Sequence, residues 1–214
     1  MIFLGGMLGT VVSTIKAVVA TVGPAVSSMA TKLVELAKTY LPKVVDLVEG
    51  VAKALNLLSG GESVEEMGRK AKVSDKSPEA FETQDAYLAY LREQKVDAKT
   101  IENETEADKF VNMAIGLTLT IKAINEIKGA EIPLETWVAL AKAGVNQPEA
   151  EALIDGFKGV YDQLSDYIEG KQSPEQELQT GDKLVEVYQT LYPELSDADI
   201  ESKVMQLEQQ EGQK

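Results

Sequence analysis

A chain of 214 residues with no histidine and no cysteine has no disulfides, no thiol chemistry, no Ser-His or Cys-His nucleophile and few routes to a transition-metal site. Its net charge of −14 repels phosphate, so the expected partners exclude nucleic acid. The 35 Asp and Glu residues are spread along the chain, no pair stands out as a catalytic site, and no Asp-x-Asp-x-Asp-Gly calcium loop occurs. The composition therefore points to a protein without enzyme activity, metal or cofactor.

The first fifty-eight residues are apolar and weakly charged. Leu4, Leu8, Val11, Ile15, Val18, Val22, Val26, Met29, Leu33, Leu36 and Tyr40 recur at steps of three and four, which is helical spacing with one apolar stripe. Gly23-Pro24 and Leu41-Pro42 interrupt it. Proline suits the first turn of a helix, where its missing N–H would have no partner. Helices are predicted over 2–22, 24–41 and 42–58.

Gly5 and Gly9 have the GxxxG spacing that lets two helices approach closely. Lys16 divides the first 31 residues into the uncharged runs Met1–Ile15 and Ala17–Thr31. Both are shorter than the ~20 residues of a membrane span. An interfacial or inserting amphipathic helix fits better, and the alternative is a helical hairpin buried against its own C-terminal part or a neighbouring subunit. The segment Phe3-Leu4-Gly5-Gly6-Met7-Leu8-Gly9 resembles the glycine-rich openings of membrane-active peptides. Candidate contact residues for assembly or a membrane are Phe3, Leu4, Gly5, Leu8, Gly9, Val11, Val12, Ile15, Val18, Val19 and Val22. No Lys or Arg precedes the apolar run, and glycines interrupt it. The expectation is synthesis in the cytoplasm without a cleaved signal peptide.

Residues 62–77 read as a polar linker, with a short helix near 63–72. Ser77-Pro78-Glu79 opens a helix over 78–95 that aligns Phe81, Leu88 and Leu91, and 96–103 reads as a loop. Thr105 to Asp108 is close to a capping box. It opens a helix over 106–128, apolar almost all round between Met113 and Ile121. The alternation of Ile115, Leu117, Leu119 and Ile121 with Gly116, Thr118 and Thr120 is strand-like, but the cap and the length favour helix. Further helices are predicted over 133–143 (around Trp137), 148–169, 174–192 and from Asp197 onward. Leu140 to Leu153 has the outline of a helix-turn-helix, but Glu149, Glu151 and Asp155 would repel phosphate, so it reads as a plain hairpin.

The expected fold is all-α: an apolar N-terminal module of two to three helices over 1–61, a linker over 62–77 and an acidic multi-helix bundle over 78–214. The expected function is that of a non-enzymatic structural or interaction protein. Its apolar helices would insert into an oligomer, a particle or a lipid interface, as in a phage particle, a secretion apparatus or a pore-forming system. Its partners would be copies of itself in a homo-oligomer, other proteins of an assembly, or a lipid bilayer met through residues 1–58. The alternative is a soluble acidic adaptor or inhibitor that binds a protein partner, with the N-terminal helices as ordinary core.

Overall fold

A computed structural model describes residues 2–209, apart from the side chains of residues 2–5, 38 and 209. The fold is all-α, with thirteen α-helices and no strand among the described residues. It divides into two compact units, residues 1–129 and 130–214. The division expected at residue 61 is not where the fold divides.

The first unit is built on one helix. Its opening helices are α1 (Ile2–Ala17), α2 (Val19–Val22), α3 (Pro24–Ala37) and α4 (Leu41–Ala54), with a 3₁₀ turn over Lys38–Tyr40 between the last two. Next come α5 (Val64–Val73), α6 (Gln84–Glu93), α7 (Ala98–Glu102) and α8 (Glu106–Lys128). The predicted helix over 2–22 is thus two segments joined at Val18, whose N–H still donates to the Thr14 carbonyl at 3.2 Å.

Helix α8 forms because both ends are capped. The Asp108 N–H donates to Thr105 Oγ1 at 3.2 Å, and the Thr105 N–H donates to Asp108 Oδ2 at 3.1 Å, a complete capping box. Gly129 closes the helix in the left-handed conformation at φ 56°. From Ala114 to Ile121 every residue is buried. Thr118 and Thr120 fit there because their hydroxyls donate to the carbonyls of Ala114 (2.9 Å) and Gly116 (2.8 Å). A helix buried all round needs no amphipathic stripe, which is why its alternating pattern imitates a strand. Helices α1, α3, α4, α5 and α6 all pack against it. Among the described residues α8 is the one helix long and apolar enough to cross a membrane, and 72% of its most apolar window is buried inside the protein.

The segment expected as a linker is part of this core. Val64, Met67 and Ala71 of α5 are fully buried, and α5 lies on α8 where Gly68 meets Gly116. Its polar residues make the local structure. Ser63 Oγ accepts from the Glu66 N–H at 3.2 Å, and Glu49 of α4 accepts from the Val64 N–H at 2.8 Å. Arg69 forms two bonds to Glu104 (2.7 and 2.8 Å) and one to Glu65 (2.6 Å). Arg92 of α6 reaches back to the Leu57 carbonyl at 2.6 Å and to Glu62 at 3.1 Å. Residues 62–129, assigned above to two other parts, thus complete the core that the N-terminal helices begin.

The second unit contains α9 (Leu134–Lys142), α10 (Gln147–Gly156), α11 (Tyr161–Ile168), α12 (Pro174–Leu191) and α13 (Asp197–Gln209). The single helix expected over 148–169 is two helices. The chain turns at Gly159, φ +86°, a conformation that costs other residues 1–2 kcal/mol or so. Trp137, Phe157, Leu164, Leu184 and Tyr188 form the core. Helices α12 and α13 run antiparallel: Gln189 near the end of α12 donates to Asp197 at the start of α13 at 3.1 Å, and Ile200, Val204 and Leu207 are buried beneath.

Candidate functional site

The described residues among those expected to make contacts fall into three groups. Val11, Ile15 and Val22 are fully buried, on helices that pack against α8, α3 and α5. Leu8, Val12 and Val18 are half-buried. Gly9 and Val19 are exposed, Val19 at 39%. Phe3, Leu4 and Gly5 lie outside the described side chains.

The outer face of α1 is weakly polar. Gly9, Thr10, Ser13, Lys16 and Ala17 are exposed along it. The Thr10 hydroxyl donates to the Gly6 carbonyl at 3.2 Å, and Ser13 and Thr14 donate to the Thr10 carbonyl at 2.9 Å each. Hydroxyls that bond back to their own helix have less demand for water. Nothing stands within 4 Å of where a Cβ would lie on Gly9, so this glycine sits at no close helix contact within the chain. The close approach that glycine permits occurs at Gly68 and Gly116 instead.

The acidic charge is concentrated in the second unit. Residues 1–129 hold 17 acidic and 15 basic side chains, and residues 130–214 hold 18 and 6, a net −12. Concave features formed by the described residues of this unit include two of note. The smaller, about 220 Å³, is lined by Asn146, Glu149, Tyr188 and Lys203. Glu149 is only 7% exposed and accepts from Lys203 Nζ at 2.9 Å, the Tyr192 hydroxyl at 3.0 Å and the Asn146 N–H at 3.1 Å. Burial alone would raise its pKa, but these donors outweigh burial and hold the carboxyl below the usual range. Three donors hold this carboxylate, so it works as a tie between α10 and α13.

The larger feature, about 440 Å³, is a groove between α12 and α13. Tyr167 and Gly181 form its floor, and Leu178, Val185, Val204 and Met205 its walls. Leu178 is 68% and Met205 53% exposed. Sequence reasoning did not single it out. The available signal was two large apolar residues, Leu178 and Met205, that are exposed beside the buried residues Leu184 and Tyr188 of α12 and Ile200, Val204 and Leu207 of α13.

Among the described residues no group of three or more Asp or Glu could hold a metal ion. Compared with known protein families, with curated proteins and with solved structures, the chain matches none.

Proposed function

We propose that the protein is a non-enzymatic adaptor or inhibitor that binds a protein partner through its acidic part, while its N-terminal helices serve as core. The observation that carries this reading is the complete burial of Val11, Ile15 and Val22 within the first unit. An inserting helix needs its apolar stripe free. Here Val11, Ile15 and Val22 are already engaged, and each such side chain contributes about 1.5–3 kcal/mol by its burial. The acidic second unit then has the surface for a partner.

A second reading keeps the N-terminal helices as a contact with other copies, with an assembly such as a virion or secretion apparatus, or with lipid. It is supported by the exposed strip of α1, whose hydroxyls return to their own helix.

The test is the solution mass of the full chain and its co-flotation with lipid vesicles, for wild type, Val19→Asp and Ile15→Asp. The adaptor reading expects a monomer that stays in the aqueous fraction, with Ile15→Asp lowering the melting temperature. An oligomer or a floating chain, lost in Val19→Asp with the fold intact, would replace it with the assembly reading.

A further inference from the structure

We infer that the groove between α12 and α13 docks a cationic amphipathic helix of a partner protein, an inference that rests on the adaptor reading and names its site. Along α12, Pro174, Leu178, Gly181 and Val185 recur on one face, a length of about 16 Å or three helical turns. Anchors at i, i+4 and i+7, with which a helix lies in a groove, span about 10.5 Å, so the groove is long enough to take them.

The walls favour a macromolecule over a small ligand. A small-molecule site encloses most of its ligand, whereas Leu178 and Met205 stand mostly in solvent on opposite sides. A helix laid between them would cover both. Met205 is unbranched and adaptable, a common trait of surfaces that accept helices. Gly181 keeps the floor low. A Cβ there would meet only the Tyr167 ring, at 4.0 Å, so the position has room for a side chain that it does not carry.

Charge decides the chemistry of the occupant. Glu177, Asp182 and Glu201 line the rim, and no Lys or Arg among the described residues does. None of the three has an ion pair among the described residues. A helix with Lys or Arg flanking its apolar anchors would give each carboxylate a partner at the edge of the contact. Such rim charges speed encounter and exclude the wrong sign. A second copy of this acidic unit, or an acidic helix, meets repulsion.

The test is fluorescence anisotropy with the full chain and two labelled helical peptides of about four turns. Both carry Leu at i, i+4 and i+7, one with Lys and the other with Glu at the remaining positions. The Lys peptide is expected to bind and the Glu peptide not. Gly181→Leu should weaken binding about tenfold or more by filling the groove, with a melting temperature unchanged or raised because Leu is the better helix former. Gly181→Ala should gain the same helix preference and still bind. Replacing Glu177, Asp182 and Glu201 together by Gln, Asn and Gln should flatten the salt dependence. The inference is overturned if the Lys peptide does not bind, if both peptides bind alike, or if Gly181→Leu binds as wild type. A dimer that Gly181→Leu disperses would put a second copy in the groove and overturn it as well. The mass and flotation measurements on α1 and α2 involve neither α12 nor α13, so they judge the adaptor reading separately.

Discussion

Gly68 and Gly116 meet where α5 crosses α8 antiparallel: a Cβ on Gly68 would stand 1.9 Å from the Asn112 carbonyl oxygen, and one on Gly116 would stand 1.7 Å from that of Val64. No side chain fits, and the obstacle is backbone on both sides. The crossing places the fully buried Val64, Met67 and Ala71 of α5 against the apolar middle of α8. It also lets each helix approach the other's carbonyls closely enough for Cα–H···O contact.

Gly116→Leu should therefore cost about 3 kcal/mol or more, as overpacking that only a shift of whole helices can relieve. Gly68→Ala should cost a comparable amount, and the double substitution less than the sum, because one separation of the helices relieves both. Gly9→Ala is the control. Nothing stands near Gly9, so alanine should stabilise by about 0.5–1 kcal/mol through helix preference. Urea denaturation of the four variants measures all of this.

The N-terminal helices and α8 should not fold apart. A fragment over 62–214 keeps α8 but loses α1, α3 and α4, which cover it. It should show reduced helicity and self-associate, whereas a fragment over 130–214 should unfold cooperatively at its own midpoint. Circular dichroism with urea and a mass measurement distinguish the two. A 62–214 fragment that is monomeric and fully helical would restore the independent acidic domain that composition suggested.

Glu149 gives the second unit a pH signature. Its folded pKa lies below the ordinary carboxylate value, so its contribution is fully present above that ordinary value. It is lost as pH falls through the lowered one. The partner Lys203 has a raised pKa, chiefly from the same hydrogen bond, so its share is lost only as pH rises through that raised value. Glu149→Gln should destabilise the 130–214 fragment by about 1–3 kcal/mol at neutral pH. The difference from wild type should shrink in acid. Urea midpoints from pH 3 to pH 7 read it.

At the turn between α10 and α11, Gly159 has open space around its Cβ position and φ +86°. Gly159→Ala should thus cost about 1–2 kcal/mol from backbone strain alone. Asn, which tolerates this conformation better, should recover part of the loss. Thermal melts of wild type and both variants check the order.

Local signals were legible at some helices and misleading at others: Ser77-Pro78 opens only a 3₁₀ turn over Pro78–Ala80, α6 starts later on the Thr83 cap, and Asp97 caps α7 where a loop was expected. The capping box at Thr105 and Asp108 identified α8 over 106–128, and the Pro starts at Pro24 and Pro174 marked α3 and α12. Long-range assignments were not legible. Residues 62–77 look like a linker because Ser63, Glu65 and Arg69 are polar, yet each is polar for a cap or an ion pair that only the fold reveals. The apolar stripe of α1 looked like an assembly surface because nothing in 1–61 shows that α8, far along the chain, would cover it. The helix expected over 148–169 failed for a related reason: Gly159 breaks it, while Phe157 and Tyr161 keep the apolar spacing going across the break. The groove at Leu178 and Met205 needed two helices brought side by side, and neither helix alone marks it.

Helix α8 is made after nearly everything that packs on it. Helices α1, α3, α4, α5 and α6 precede it in the chain, so during synthesis their apolar faces exist before the surface they will cover. At 5–20 residues per second, the roughly one hundred residues between α1 and α8 take about 5–20 s to appear. For that interval α1, which carries Val11 and Ile15, has no α8 to pack against, and the nascent chain has a sequence well suited to sticking to membranes or chaperones. Slowing translation before residue 106 should lengthen that exposure and raise the aggregated fraction. Slowing it after residue 129 should do little, since by then α8 and the helices that pack on it have all been made.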